Sequence, residues 1–174
     1  MNRIRVETGA DRSSLQRLSW RPAMIPPFDV QRIDHLVLRV RDLARSVRFY
    51  GEVLGCHVER RREHLGLAHL HAGASMIDLV DVAGKLGARG GAPAGVEGRN
   101  VDHLCLRIDP FDETALRAHL ARFGIAPVGP AEINFGAEGD GLSLYFQDPD
   151  GNTIELKGPA SRMAGVGRAG DRGG

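Results

Sequence analysis

Residues 33–40, Ile-Asp-His-Leu-Val-Leu-Arg-Val, alternate in character. In an extended chain Leu36, Leu38 and Val40 fall on one side, and His35, Val37 and Arg39 on the other, the period-two pattern of a half-buried strand. Residues 101–108, Val-Asp-His-Leu-Cys-Leu-Arg-Ile, repeat it, with His103 and Arg107 on one side and Leu104, Leu106 and Ile108 on the other. A helical period follows each strand. Leu43, Val47, Tyr50 and Leu54 form the first stripe, with Asp42 as N-cap and Gly55 to close it; Leu116, Leu120 and Phe123 form the second, started by Asp109-Pro110 or Asp112 and ended by Gly124. Three shorter strands are then predicted in each half, near 56–63, 65–71 and 75–81, and near 126–135, 142–147 and 152–157. Asp148-Pro149-Asp150-Gly151 supplies a turn between the last two. The final strands also match: Met76-Ile77-Asp78-Leu79-Val80 parallels Thr153-Ile154-Glu155-Leu156-Lys157. The expected fold class is therefore α+β: two tandem βαβββ modules whose concave mixed sheet carries its helices on the outer face.

The expected organisation is an N-terminal arm (1–29), module one (30–82), a linker (83–100), module two (101–158) and a flexible tail (159–174). The arm holds Trp20 and Pro26-Pro27, with a short helix around 13–18. Glycines at 84, 87, 90, 91, 95 and 98 forbid a regular element in the linker and suggest a flexible join. The chain has 174 residues, 23 basic and 22 acidic, with a net charge of +1. That balance gives no reason to expect nucleic acid or an anionic membrane as partner. Two cysteines make no disulfide scaffold, and no signal-like or membrane-spanning run occurs, so a cytoplasmic protein is expected.

The purely aliphatic side of each first strand must be buried. The opposite side carries His35, Arg39, Asp78, His103, Arg107 and Glu155. Paired about a pseudo-twofold, the modules aim two imidazoles and two carboxylates at one hollow, a donor set that suits Zn, Ni, Mn, Fe or Co rather than Ca. The remaining histidines carry less. His69 and His71 read as pocket wall or solvent face, His57 and His64 as surface, and His119 as the polar side of its helix. Cys105 reads as a small pocket-wall residue near the ion. Arg39 and Arg107 each follow a ligand candidate by four residues on the same face, where a guanidinium either binds a substrate carboxylate or makes a salt bridge at the sheet rim.

Residues 33–55, the repeated Val-Asp-His-Leu-Cys-Leu-Arg-Ile, and Ser143–Gly158 with its Asp-Pro-Asp-Gly-Asn-Thr-Ile-Glu-Leu run resemble the vicinal oxygen chelate superfamily. That superfamily includes glyoxalase I, fosfomycin-modifying enzymes, bleomycin-binding proteins and extradiol dioxygenases. The resemblance implies one divalent metal ion held by His35, His103 and Glu155, with Asp78 at the fourth position but one methylene shorter than the family's glutamate. It implies a glyoxalase I-like isomerase or lyase in which Glu155 is the base and the substrate is a small oxygenated molecule, such as a glutathione hemithioacetal. Arg39 matches an arginine that holds the glutathione carboxylate, whereas the family's asparagine partner for glutathione falls near Val82. In the thiol-transferase reading Tyr145 contacts substrate, but the phosphonate-binding lysine and serine fall at Phe135 and Gly139. An Fe(II) ring-cleaving dioxygenase, with His69 or His71 as acid–base group, and a drug-sequestering protein are the remaining alternatives. A homodimer is expected, because each module would otherwise expose unpaired edges.

Overall fold

The computed structural model describes residues 27–95, 97 and 99–161. Most of the arm, including the helix expected around 13–18, and most of the tail lie outside the described residues. The chain divides into residues 1–32 and residues 33–174; the second unit carries every described helix and strand.

That unit is two copies of one topology. In the first, β1 (His35–Val40) leads through α1 (Leu43–Glu52) to β2 (His57–Arg62), β3 (Leu67–Ala72) and β4 (Ser75–Asp81). In the second, β5 (His103–Arg107) leads through α2 (Glu113–Arg122) to β6 (Val128–Gly136), β7 (Gly139–Gln147) and β8 (Thr153–Lys157). Each copy forms a four-stranded sheet, ordered β1-β4-β3-β2 and β5-β8-β7-β6. The first strand of each lies at an edge and pairs parallel with the last, and the other pairings are antiparallel. The two tandem βαβββ modules of an α+β fold are thus present.

Local chemistry explains the elements. The Asp42 carboxylate accepts from the Arg45 amide at 2.9 Å, and Asp112 from the Ala115 amide at 3.0 Å, so both helices begin at aspartate N-caps. Of the two starts open to α2, Asp112 is the one used. Gly55 and Gly124 follow the helix ends with φ of 69° and 70°, the left-handed conformation glycine tolerates.

One apolar cluster joins the copies. Leu38, Val40, Leu70, Ile77 and Leu79 from the first sheet pack with Val47, Phe49 and Tyr50 of α1, and with Leu120, Leu144, Phe146, Ile154 and Leu156 of the second module. Each such side chain contributes about 1.5–3 kcal/mol on burial. Phe49 and Phe146 rings meet with centroids 6.4 Å apart. Beside them, the fully buried Tyr50 donates its hydroxyl to Asp148 Oδ2 at 3.0 Å. Asp148 also accepts from the Asn152 side chain and from the amides of Asp150 and Asn152. Asp150 in turn accepts from the Arg41 amide and the Ser46 hydroxyl. The turn between β7 and β8 is therefore also the peg that docks module two onto α1. His119, read as the polar side of its helix, completes the join through Nε2, 2.9 Å from Val53 O.

The glycine-rich linker is more structured than its spacing suggests. Residues Gly87–Gly90 form a 3₁₀ turn, and a Cβ on Gly87 would lie 1.9 Å from Asp81 O, so only glycine fits there. Among the described residues no helix is long and apolar enough to cross a membrane.

Tyr50→Phe is expected to cost about 1.5–3 kcal/mol, the usual worth of a hydrogen bond to a charged group, and Asp148→Ala more, since it also strands the turn amides. Urea unfolding monitored by circular dichroism checks both.

Candidate functional site

Both sheets present the same polar face. On the first, the register sets Val37 beside Asp78 and Asp78 beside His69. On the second it sets Cys105 beside Glu155 and Glu155 beside Tyr145. Asp78 and Glu155 thus hold equivalent places, each one strand in from the edge that carries its histidine.

The histidines are braced in the same way. His35 Nδ1 lies 2.9 Å from the Asp34 carboxylate, and His103 Nδ1 lies 2.7 Å from Asp102. The Asp34 hydrogen bond is the main reason that His35 is raised above its ordinary pKa, with Asp78 adding to it. A carboxylate on Nδ1 leaves Nε2 as the nitrogen available to a further partner. The repeated Asp-His dipeptide carried that signal, and the reading by strand faces passed over it because Asp34 and Asp102 precede the strands.

In module two the geometry is tight. His103 Nε2 lies 3.0 Å from Glu155 Oε2, and the Ser143 hydroxyl donates to Glu155 Oε1. Both Ser143 and Glu155 are buried. The Tyr145 ring meets the His103 ring edge-on at 5.8 Å, and its hydroxyl accepts from Asn134 Nδ2. Desolvation, then Glu155, pushes the Tyr145 hydroxyl up to about 12. The Cys105 thiol, from an exposed residue, is pushed up to about 11 for the same two reasons in the same order.

Module one is looser. Asp78 is buried, and its Oδ1 accepts no hydrogen bond. His69 Nδ1 lies 2.8 Å from that oxygen, but off the line a hydrogen bond needs. His69, read as pocket wall or solvent face, is thus the nearest neighbour of the first-module carboxylate. Its ring stands opposite Asp78 as the Tyr145 ring stands opposite Glu155. His71 and His57 stack at 5.1 Å farther out, and His71 Nε2 reaches Glu59 at 3.3 Å.

The four expected ligands do not gather in one chain. Among the described residues no three His, Cys, Asp or Glu side chains come close enough to hold an ion. His103 and Glu155 form one pair, and His35 with Asp78 belongs to the other module. Both pairs combine an imidazole with a buried carboxylate, donor types that a divalent transition metal takes, and the Asp78 oxygen that accepts no hydrogen bond fits a cation.

The two arginines expected to meet substrate are engaged elsewhere. Arg39 donates Nε to Gly87 O (3.1 Å), Nη1 to Gly90 O and Ala92 O (3.0 and 3.2 Å) and Nη2 to Gly91 O (2.6 Å). Arg107 pairs with Glu138 at 2.8 Å, lies 3.7 Å from Asp109 and donates to Ile108 O. Arg107 thus makes a salt bridge at the sheet rim, and the linker's backbone takes Arg39.

The model of the Glyoxalase/Bleomycin resistance protein/Dioxygenase superfamily matches residues 32–156. The chain is 33% identical over 128 residues to virulence protein STM3117 of Salmonella typhimurium, covering 73% of this chain and 83% of that protein. The crystal structure of STM3117 superposes with a TM-score of 0.62, covering 76% of this chain and all of that one. Glyoxalase domain-containing protein RDO1 of Mycosarcoma maydis is 30% identical over 156 residues, covering 90% of this chain and 84% of that protein. A lactoylglutathione lyase from Agrobacterium tumefaciens shares the fold, with a TM-score of 0.54 and 20% identity over 74% of this chain and 94% of that one.

Two outcomes follow from the geometry. In metal-free protein, Glu155→Gln removes the anion that disfavours the Cys105 thiolate, so the thiol pKa falls and alkylation of Cys105 at pH 8 accelerates. Peptide mass spectrometry after iodoacetamide pulses measures this. Arg39→Ala removes four hydrogen bonds from the linker, and limited proteolysis is expected to cut within 87–94 in the variant while sparing the parent protein.

Proposed function

The chain belongs to the glyoxalase/bleomycin resistance protein/dioxygenase superfamily, and we propose that it is a divalent-metal-dependent isomerase or lyase of the glyoxalase I type, acting on a small substrate with two adjacent oxygens. The observation that carries this reading is the duplicated pair: a histidine braced at Nδ1 by the preceding aspartate, and a buried carboxylate at the matching place in each sheet. His35, His103 and Glu155 would hold the ion, with Asp78 as the fourth donor, directly or through water. Zn, Ni, Mn, Fe and Co all suit these donors. When bound, the ion supplies Lewis-acid polarisation of the substrate oxygens.

The protein's own groups do the rest. Asp34 and Asp102 fix the imidazole orientations. Ser143 pins Glu155 Oε1, so the other oxygen is oriented toward the hollow as the base that takes a proton from the substrate carbon and returns it to the neighbouring carbon. Tyr145, its hydroxyl kept neutral by its raised pKa, lines the hollow as a substrate contact. The aliphatic Val82, where the family places an asparagine for glutathione, makes a hemithioacetal of glutathione the less favoured substrate within this class.

Two copies complete the site in this reading. β1 and β5 lie at sheet edges, each paired on one side only among the described residues, and Val37 in β1 and Val101 before β5 are about half exposed. A cavity of about 650 Å³ opens there, lined by Leu36, Met76, Leu104 and Leu106 among others. A homodimer that sets β1 of one copy against β5 of the other brings His35 and Asp78 to face His103 and Glu155.

Complementation tests the reading. His35→Ala and His103→Ala dimers should each lose metal and activity. After mixing and subunit exchange, half the dimers are mixed and each carries one intact site, so about a quarter of parental metal binding should return. Metal binding by neither the parent nor the mixture sinks the metal-site reading. Full binding without restoration shows that the site closes within one chain. Thioester formation from methylglyoxal and glutathione, followed by absorbance, tests the isomerase class, and cleavage of catechols with Fe(II) in its place would transfer the protein to the dioxygenases.

A further inference from the structure

The polar face of the first sheet extends beyond Asp78. The register places Arg60 beside His69 and His69 beside Asp78, so three side chains stand in a row across β2, β3 and β4. Neighbouring strands are about 4.8 Å apart, which puts the Arg60 backbone about 10 Å from that of Asp78, a span that the arginine side chain shortens. Beside this row opens a cavity of about 220 Å³ lined by Glu59, Arg60, His69 and Met76. Glu59 in this wall is turned to His71. Among the described residues no carboxylate or carbonyl takes the Arg60 guanidinium, and His69 Nε2 makes no hydrogen bond or ion pair. Arg39 and Arg107, the arginines that the sequence placed on the ligand face, are engaged by carbonyls and by Glu138.

We propose that Arg60 and His69 form a carboxylate-binding subsite on the module-one wall of the metal cup, and that the ligand is a short molecule with two adjacent oxygens at one end and a carboxylate at the other. This rests on the metal-site reading above. The guanidinium offers a planar fork that matches a carboxylate, and the wall's one other acid is already paired. His69, held beside Asp78, contributes its second nitrogen and sets the distance between the two ends of the ligand. Met76 supplies an apolar floor for the carbons between them.

The test uses two probes with the same 2-oxo acid head, 2-oxoglutarate with a distal carboxylate and pyruvate without one. Each is titrated calorimetrically into the metal-loaded, full-length protein, and metal content is measured on the same samples. The expected result is 2-oxoglutarate binding at least about tenfold tighter than pyruvate. Arg60→Gln should abolish that preference with metal content and melting temperature unchanged, Arg60→Lys should restore part of it, and Arg61→Gln, on the opposite face of the strand, should leave it intact. Bound ion with equal affinities in the parent protein, or a preference that survives in Arg60→Gln, overturns the subsite alone. Absence of bound ion overturns the metal-site reading and the subsite with it.

Discussion

The hydrogen bond from Tyr50 to Asp148 decides how the two modules meet. It joins the first helix to the tight turn before β8, in a region where Phe49 and Phe146 are also buried. A buried carboxylate is costly unless fully bonded, and Asp148 is satisfied by Tyr50 on one side and its own turn on the other. The modules are consequently locked helix-side to turn, through their apolar faces. The apolar sides of the edge strands β1 and β5 share in that packing, Leu38 and Val40 inside the cluster and Leu104 and Leu106 against it, while among the described residues their outer edges carry no further strand. The proposed assembly and the proposed catalysis both start from this constraint: His103 with Glu155, and His35 with Asp78, stand on separate sheets.

Duplication gives the halves the same frame, and substitution has made them unequal. Glu155 has Ser143 on one oxygen and His103 on the other, so its position is preorganised. Asp78, shorter by a methylene, reaches no such partner and keeps a buried oxygen without a hydrogen bond. Desolvation without compensation costs about 1–3 kcal/mol for a polar group, and more for a charge. The His69 imidazole, 2.8 Å away, is the group beside that oxygen, and in the proposed site a cation would complete it. In the proposed reaction the proton-transfer role falls on the half whose carboxylate is already aimed.

Most of the architecture was legible because it depends on local periodicity. Alternation in 33–40 and 101–108 marked the strands and their buried sides, aspartates marked both helix starts, and the recurrence of the whole pattern marked the modules. The missing pieces all depend on partners far apart in sequence. Asp148 reads as a turn residue, and nothing near it announces that Tyr50, 98 residues earlier, will be its donor. His69 lies on a strand whose pattern allows either solvent or pocket, and only the register with β4 sets it against Asp78. Asp34 and Asp102 were visible as a repeated dipeptide, but the strand-face rule gives no role to a residue just outside the strand.

The fate of Arg39 follows from backbone bookkeeping rather than from its position on the ligand face. A linker this rich in glycine is irregular, and irregular backbone leaves carbonyl oxygens without ladder partners. Gly87, Gly90, Gly91 and Ala92 turn four of them toward one point, and a guanidinium with five donors is the side chain that can meet them together. The same glycines that suggested a loose join therefore created the demand that orders it. Charge is thereby withdrawn from the first strand, and within that sheet the next guanidinium on the polar face without a partner is on β2. That strand, His57–Arg62, carries three arginines in a row, and in the proposed subsite Arg60 is the one that meets an anion.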